Sequence, residues 1–201
     1  MTIAFSILIL ILSVVVHEVA HGWSAYFLGD PTAKLAGRLT LNPLYHLDPI
    51  GSVVVPLLMY SMGGFIFGWA KPVPYNPYNL QAGRAGPAIV ALAGPVANLF
   101  LVACFSIIIR LTIGVVPVAF ITLSMTVVIV NLSLALFNLI PVPPLDGSKI
   151  LFALIPYRYR HIEEILTRYQ LFFAIFAITV IAPFLMPIVS FLFQLSTGLT
   201  I

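Results

Sequence analysis

A metal ion could be bound and used by three residues near the start of the chain: His17, Glu18 and His21. Residues four apart lie on one face of a helix, so His17 and His21 could offer two imidazole nitrogens to the same ion. Glu18 points about 100° away from His17, which lets it act as a base on an activated water without being a ligand. The HExxH motif therefore predicts a catalytic zinc site.

The surroundings of the motif favour a functional role over a chance match. Glu18 is the only Asp, Glu, Lys or Arg in residues 1–28, which otherwise form an apolar run. A charged group in lipid is costly and is usually functional. The alternative is a structural His–Glu pair that bridges two helices. Since no Lys or Arg precedes the run, a retained span is expected in preference to a cleaved signal peptide.

The composition indicates an integral membrane protein. Of 201 residues, 61% are hydrophobic and 7% are charged, whereas typical globular proteins have about 25% charged residues. The net charge of +3 bears on membrane topology and not on nucleic acid binding. The lone cysteine, Cys104, excludes an internal disulfide and a cysteine-based metal cluster.

Apolar segments predict the elements that position the motif. A span needs about 20 apolar residues, and the segments that meet this are 3–28, 87–113, 117–140 and 170–196. Segment 50–68 contains Pro56 and ends in glycines, so it either spans or re-enters, and segment 148–156 is too short alone. The expected fold is an all-α polytopic membrane protein, a single domain over 1–201 with four to six membrane segments.

The polar regions between the spans predict smaller elements. Period-two alternation in 32–41 and 65–69 predicts two short strands within a strand or re-entrant region, 32–86. The edge of such strands could pair with an unwound substrate segment, and a plain interfacial loop is the alternative. Residues 157–168 are charged and predict an interfacial helix or a solvated loop.

A third zinc ligand is expected, because catalytic zinc sites use three protein ligands and one open position. Among the remaining histidines and carboxylates, only Asp146 lies deep in an apolar stretch. The prolines of residues 141–147 prevent a regular helix there. Such a break is tolerated at membrane depth only where it is buried in protein or lines a wet cavity. Asp146 is therefore the predicted third ligand, and iron or cobalt could occupy the same His₂Asp site in vitro.

The order of the motifs resembles the site-2 protease family of intramembrane zinc metalloproteases. The matching stretches are HEVAH at 17–21, AGPVAN at 93–98 and FNLIPVPPLDG at 137–147. NPLYHLDPIG at 42–51 and GWAKPVPYNP at 68–77 resemble the compact bacterial and archaeal branch. The resemblance extends from Val16 to about Lys149, and the PDZ or CBS domains that the family often carries are not expected here.

The resemblance implies a role for each matching residue. His17, His21 and Asp146 would hold one zinc ion, and Glu18 would be the general base. Asn138 would steady the oxyanion, with an interhelical hydrogen bond as the alternative.

Other matching residues are assigned structural roles. Asn98, with Gly94 and Pro95, is interpreted as helix packing beside the site. His46 and Asp48 are interpreted as a hydrogen-bonded clasp in a surface loop.

The implied function is hydrolysis of peptide bonds within or near the transmembrane helices of membrane-protein substrates, in a lipid bilayer. A prokaryotic plasma membrane is expected, with the active site toward the cytosol. If segment 50–68 re-enters, most basic residues become cytosolic, as the positive-inside rule requires, and Asp146 joins the histidines on that side. No oligomeric state follows from the sequence. The rival hypotheses are an ion or proton transporter and a metal-binding scaffold without catalysis.

Overall fold

Helices make up the regular structure of the part of the chain that the computed structural model describes, residues 3–48 and 71–200. In chain order these are α1 (Ile3–Phe27), α2 (Thr32–Leu35), α3 (Gly86–Thr112), α4 (Val118–Asn138), α5 (Asp146–Leu154), α6 (Arg160–Arg168), α7 (Gln170–Phe176) and α8 (Ala182–Thr197). A π-helical turn, Ala177–Ile181, joins α7 to α8. Single 3₁₀ turns lie at Pro43–His46, Pro77–Asn79, Gly83–Ala85 and Tyr157–Tyr159.

Four helical stretches are long and apolar enough to cross a membrane: Ala4–Phe27, Gly83–Thr112, Val118–Asn138 and Gln170–Thr197. Their outward faces carry large exposed apolar side chains such as Phe5, Phe100 and Phe191, which suit contact with lipid tails. The prediction of an all-α polytopic membrane protein is confirmed. Segment 50–68, which was expected to span or re-enter, lies outside the described residues.

The strand expected at 32–41 is wrong, and the physical reason lies in the residues just before it. Gly29 has φ 101°, and it closes α1 while Asp30 N–H donates to Ala25 O. The Asp30 carboxylate then accepts hydrogen bonds from the Thr32 N–H and hydroxyl, which starts the helical turn α2. Gly37, with φ 66°, ends that turn. No strand occurs in residues 3–48 or 71–200, and the second expected strand, 65–69, lies outside this part.

The core beyond the functional site is apolar and joins three helices. Val102 and Ile109 of α3 pack with Val128 of α4 and with Val189 and Phe193 of α8. Where α8 ends, the Arg110 guanidinium donates to the carbonyls of Leu195 and Ser196. These carbonyls have no partner within the helix, so Arg110 ties the end of α8 to α3.

The link between α4 and α5 brings residue 146 back toward α1. Pro141, Pro143 and Pro144 have no N–H and cannot continue α4, so the chain turns over residues 139–145 before α5 begins at Asp146. Gly147 packs directly against the carbonyl oxygens of Leu139 and Ile140, where a Cβ would collide. The start of α5 is therefore fixed against the end of α4.

An extended segment, residues 71–76, runs beside the second half of α1. It is tied down at three points: Lys71 N–H donates to His46 O at 2.9 Å, Arg38 donates to Lys71 O at 2.6 Å, and Asn76 N–H donates to Asp30 at 2.6 Å. Pro72 and Pro74 favour extended backbone. The side chain of Val73 is buried against Gly22 of α1, and this brings the segment next to the HExxH motif.

Candidate metal centre

The two histidines of the motif share one face of α1 with Ser13, as spacings of four residues require. His17 and His21 are 5% and 9% exposed, and their rings lie edge to face with centroids 4.6 Å apart. This face packs against α3 and α4, since all three residues have hydrogen-bond partners there. The imidazoles therefore point into the protein and not toward lipid.

Asp146 approaches the same point from the start of α5. Its Oδ2 lies 3.0 Å from His17 Nε2 and 3.1 Å from His21 Nε2, and the residue is 7% exposed. The three side chains offer ligand atoms that all lie within 4.8 Å of one another. The three residues that the sequence predicts as ligands are thus brought together from positions up to 129 apart in the chain.

The outer nitrogens of both imidazoles show which atoms are free to bind a metal. His21 Nδ1–H donates to Val90 O at 2.7 Å, and His17 Nδ1–H donates to Asn98 Oδ1 at 2.5 Å. A neutral imidazole with a hydrogen on Nδ1 has a lone pair on Nε2. When both imidazoles are neutral, their Nε2 lone pairs and a carboxylate oxygen point to one place, an arrangement that a bound cation satisfies. Such partners on the far nitrogens are typical of metal-ligating histidines.

The donor set fits zinc. Zinc accepts imidazole nitrogen and carboxylate oxygen, and catalytic sites hold it with three protein ligands and one open position. Two Nε2 atoms and one Oδ2 would supply the three ligands. Lys149 Nζ lies 3.7 Å from the second oxygen of Asp146, which supports the ionised carboxylate that a ligand must have.

Gly94 of α3 makes the close approach of α1 possible. A Cβ at this position would lie 2.5 Å from His17 Nε2 and 2.6 Å from His21 Cε1, distances that side-chain contacts do not reach. Both rings therefore rest on the backbone of α3. A residue with any side chain would have to displace the ligands.

Glu18 lies beside the ligands and is held from the opposite side. Its Oε2 accepts the Val73 N–H at 2.8 Å, and the side chain is half-buried. The extended segment 71–76 thus fixes the orientation of the carboxylate next to His17. Since Pro72 and Pro74 have no N–H, Val73 carries the amide that the segment presents at this point.

Asn138 ends α4, eight residues before Asp146. Its Nδ2 donates to Leu134 O in its own helix at 3.0 Å, and the side chain is half-buried. An amide NH₂ has a second hydrogen, so this group retains a donor. The position of Asn138 beside the break between α4 and α5 is compatible with either of the roles considered from the sequence.

A cavity of about 750 Å³ is lined by residues on both sides of Asp146 in the chain, among them Pro144 and Ser148. Its wall includes Lys149, Arg84, Tyr75 and Tyr157, and the Lys149 ammonium lies 5.5 Å from the centre of the Tyr75 ring. Through Lys149, the wall of this cavity reaches the carboxylate of the metal site.

Sequence reasoning assigned Asn98 and Gly94 to helix packing beside the site, and the structure adds that both contact the candidate ligand histidines. Asn98 contacts the first histidine, and Gly94 contacts both. Val73 was also missed, because only the fold brings its N–H to Glu18. The signals available for Asn98 were its place in the AGPVAN stretch and its polarity within an apolar helix.

Comparison with known proteins agrees with this site. The model of peptidase family M50 matches residues 113–181. Over 159 residues the chain is 39% identical to "Putative zinc metalloprotease YwhC" of Bacillus subtilis (strain 168), covering 76% of this chain and 69% of that protein. The chain belongs to peptidase family M50, the site-2 protease family. This membership confirms the resemblance seen in the sequence and the zinc cofactor that it implied.

Two mycobacterial relatives share a shorter part of their length with the chain. The "Putative zinc metalloprotease Rip2" of Mycolicibacterium smegmatis is 31% identical, covering 68% of this chain and 52% of that protein. The protein of the same name from Mycobacterium tuberculosis (strain ATCC 25618 / H37Rv) is 28% identical, covering 70% and 53% respectively. The chain thus spans about half the length of these relatives. No solved structure matches it.

Proposed function

We propose that this member of the site-2 protease family cleaves peptide bonds within or near the transmembrane helices of membrane-protein substrates. The observation that carries the proposal is the convergence of His17 Nε2, His21 Nε2 and Asp146 Oδ2, with Glu18 beside them. This cluster lies on helices that are long and apolar enough to cross a membrane. A buried ionisable cluster of this kind is costly in lipid, and catalysis explains its presence.

The proposed roles follow from the contacts. His17, His21 and Asp146 hold one zinc ion, which supplies Lewis acidity to a water and to the peptide carbonyl. Glu18, fixed by Val73 N–H, accepts a proton from the attacking water and passes it to the leaving amine. Asn138 uses its remaining amide hydrogen to stabilise negative charge on the carbonyl oxygen.

The proposed topology places the active site toward the cytosol of a prokaryotic plasma membrane. Basic residues gather at the end of the bundle where α1 ends and α3 begins, and these are Lys34, Arg38, Lys71 and Arg84. Arg84 extends this cluster to the end of α5, where it donates to the Phe152 and Ile155 carbonyls. The positive-inside rule assigns such an end to the cytosol. The whole chain, 1–201, would then form one membrane-embedded protease domain.

A transmembrane substrate must unwind before attack, because its backbone carbonyls are already hydrogen-bonded within the helix. Helix-breaking residues in the substrate would lower this cost. The cavity beside Lys149 has charged and apolar residues in its wall and offers a space into which unwound peptide and water could enter. We therefore expect substrates with Gly or Asn in the spanning helix to be preferred.

The test is reconstitution of the wild type and Glu18→Gln in liposomes, each with a single-span reporter that contains Gly or Asn. Gln keeps an oxygen that can accept the Val73 N–H, so the substitution removes the base and leaves the fold intact. We expect the wild type alone to cleave, with a loss of at least about 100-fold in the variant, while both proteins bind zinc equally.

Two results would contradict the proposal. Cleavage by both proteins would remove Glu18 from the mechanism. Zinc in both proteins, with no cleavage of any reporter in a panel of varied spanning sequences, would support a metal-binding scaffold without catalysis.

A further inference from the structure

Asn131 of α4 is fully buried and is not among the candidate metal ligands. It belongs to a hydrogen-bond network that runs through Asn98 to His17, which is one of them. We propose that Asn131 is a positioning residue: through Asn98 it holds His17 in the tautomer whose Nε2 is free to bind zinc. This proposal rests on the metal site proposed above. It gives α4 a part in metal binding that none of the sequence motifs indicates.

The first step fixes which way the Asn131 amide faces. Its Nδ2 lies 2.8 Å from Val127 O and 2.9 Å from Ser13 Oγ. A backbone carbonyl only accepts, so the nitrogen and not the oxygen of the amide must face Val127. Both amide hydrogens are then used, and Oδ1 is the atom left to face α3.

The second step carries this orientation to Asn98. Asn98 Nδ2 donates to Asn131 Oδ1 at 2.6 Å and approaches Ser13 O at 3.5 Å. Its Oδ1 is therefore the atom that faces His17 Nδ1 at 2.5 Å. Since this oxygen accepts, Nδ1 carries the hydrogen and Nε2 keeps its lone pair. A flipped Asn98 would present its NH₂ to His17 and favour the other tautomer, in which a hydrogen on Nε2 blocks the metal.

The other histidine shows why His17 needs this support. His21 Nδ1–H donates to Val90 O, a backbone carbonyl that cannot flip. His17 instead depends on a side-chain amide, which has two orientations of nearly the same shape. Asn131 removes the ambiguity by offering Asn98 an acceptor on one side only. Partners of metal-ligating histidines typically contribute about 10–100-fold to metal affinity.

The experiment measures zinc affinity of purified full-length protein by competition with a chromogenic chelator, without any assay of cleavage. Asn131→Leu keeps the side-chain size but removes the acceptor, and we expect zinc to bind about 10-fold more weakly. Asn131→Asp, protonated in its buried position, keeps one oxygen to accept from Asn98 and one O–H to donate to Val127 O. It should retain most of the affinity that the leucine variant loses.

Ser124→Ala is the matched control. Ser124 is buried on the same helix, and its hydroxyl has no hydrogen-bond partner among the described residues. The zinc affinity of the Ser124→Ala variant should equal that of the wild type.

Each contrary result has a distinct meaning. Unchanged affinity in Asn131→Leu overturns the role of Asn131 and leaves the metal site standing. Equal losses in the leucine and aspartate variants, or a comparable loss in Ser124→Ala, show general damage to packing and also overturn it. A wild type that binds no zinc overturns the metal site itself, and the positioning role with it.

Discussion

The two halves of α3 pack by different chemistry. In the first half, Gly94 lets the helix come close to α1, and Asn98 accepts a hydrogen bond from His17 of the metal site. In the second half, Val102 and Ile109 fill an apolar core with α4 and α8. Without a hydrophobic driving force in lipid, helices associate through close packing and hydrogen bonds. The first half uses small and polar residues to fix ligand geometry, whereas the second half uses tight apolar packing to hold the bundle.

This difference predicts that metal binding and stability can be separated by substitutions in the two halves. Changes that alter distances near Gly94 should weaken zinc binding before they unfold the protein. Changes in the apolar half should unfold the protein while the metal site of the folded fraction stays intact.

Gly94→Ala should have the largest effect on metal binding. The added methyl group would lie 2.5 Å from His17 Nε2, the proposed metal-binding nitrogen, and 2.6 Å from His21 Cε1. Overpacking costs about 1–3 kcal/mol, and the upper end of this range corresponds to zinc binding that is roughly 150-fold weaker. Zinc affinity of the purified variant, measured by competition with a chelator, checks this prediction.

Gly22→Ala is the matched control, since it makes the same chemical change on α1. Its methyl group would meet Leu39 Cδ2 at 2.6 Å and Val73 Cγ1 at 2.9 Å, not the ligands. We expect zinc affinity near that of the wild type but reduced cleavage, because movement of Val73 releases Glu18. If both glycine variants lost zinc to the same extent, the special closeness of Gly94 to the ligands would be refuted.

Phe193→Ala should have the next largest effect, and on stability alone. Phe193 of α8 is fully buried against α3 and α4. A void of roughly 100 Å³ at about 24 cal/mol per Å³ costs about 2 kcal/mol. Thermal unfolding in detergent should shift to lower temperature, while zinc affinity below the transition should stay at the wild-type value. A loss of zinc affinity comparable to that of Gly94→Ala would show that the two halves are coupled.

The sequence could single out the three candidate ligands because their signals are local. His17 and His21 are placed on one face by helical geometry alone, and Asp146 stands out as a carboxylate in a proline-broken apolar stretch. Asn98 could not be assigned to His17 in the same way. Which residue of α3 faces α1 depends on packing between helices that no pattern within α3 specifies.

The wrong strand at 32–41 has a related cause. Period two in the side chains was a real pattern, but the hydrogen bonds that Asp30 accepts from Thr32, Asn76 and Asn79 impose a turn there instead. Two of these partners lie more than forty residues away. Local alternation therefore could not reveal them, and tertiary contacts overrode it.

Loss of the Asp30 charge should produce the smallest effect, and it should act where Asp30 anchors segment 71–76 beside the metal site. Burial raises the pKa of the Asp30 carboxyl, but hydrogen bonds from Thr32, Asn79 and Asn76 outweigh it and hold the pKa below its ordinary 3.8. A carboxyl whose pKa is lowered by folding stabilises the protein above its unfolded pKa and loses this contribution as pH falls. Stabilisation by Asp30 should therefore be complete above pH 3.8 and decline below it.

Hydrogen exchange at decreasing pH can locate this loss, after correction for the intrinsic exchange rate. As pH falls through the lowered pKa of Asp30, the Asn76 amide, which donates to Asp30 at 2.6 Å, should lose protection, while the amide of Phe193 in the apolar core keeps it. Asp30→Asn should show the reduced protection of Asn76 already at neutral pH, because its amide replaces one accepting oxygen by a donor. If Asn76 kept its protection down to the pH of global unfolding in both proteins, Asp30 would not anchor segment 71–76, and the orientation of Glu18 would have to depend on Arg38 and His46 instead.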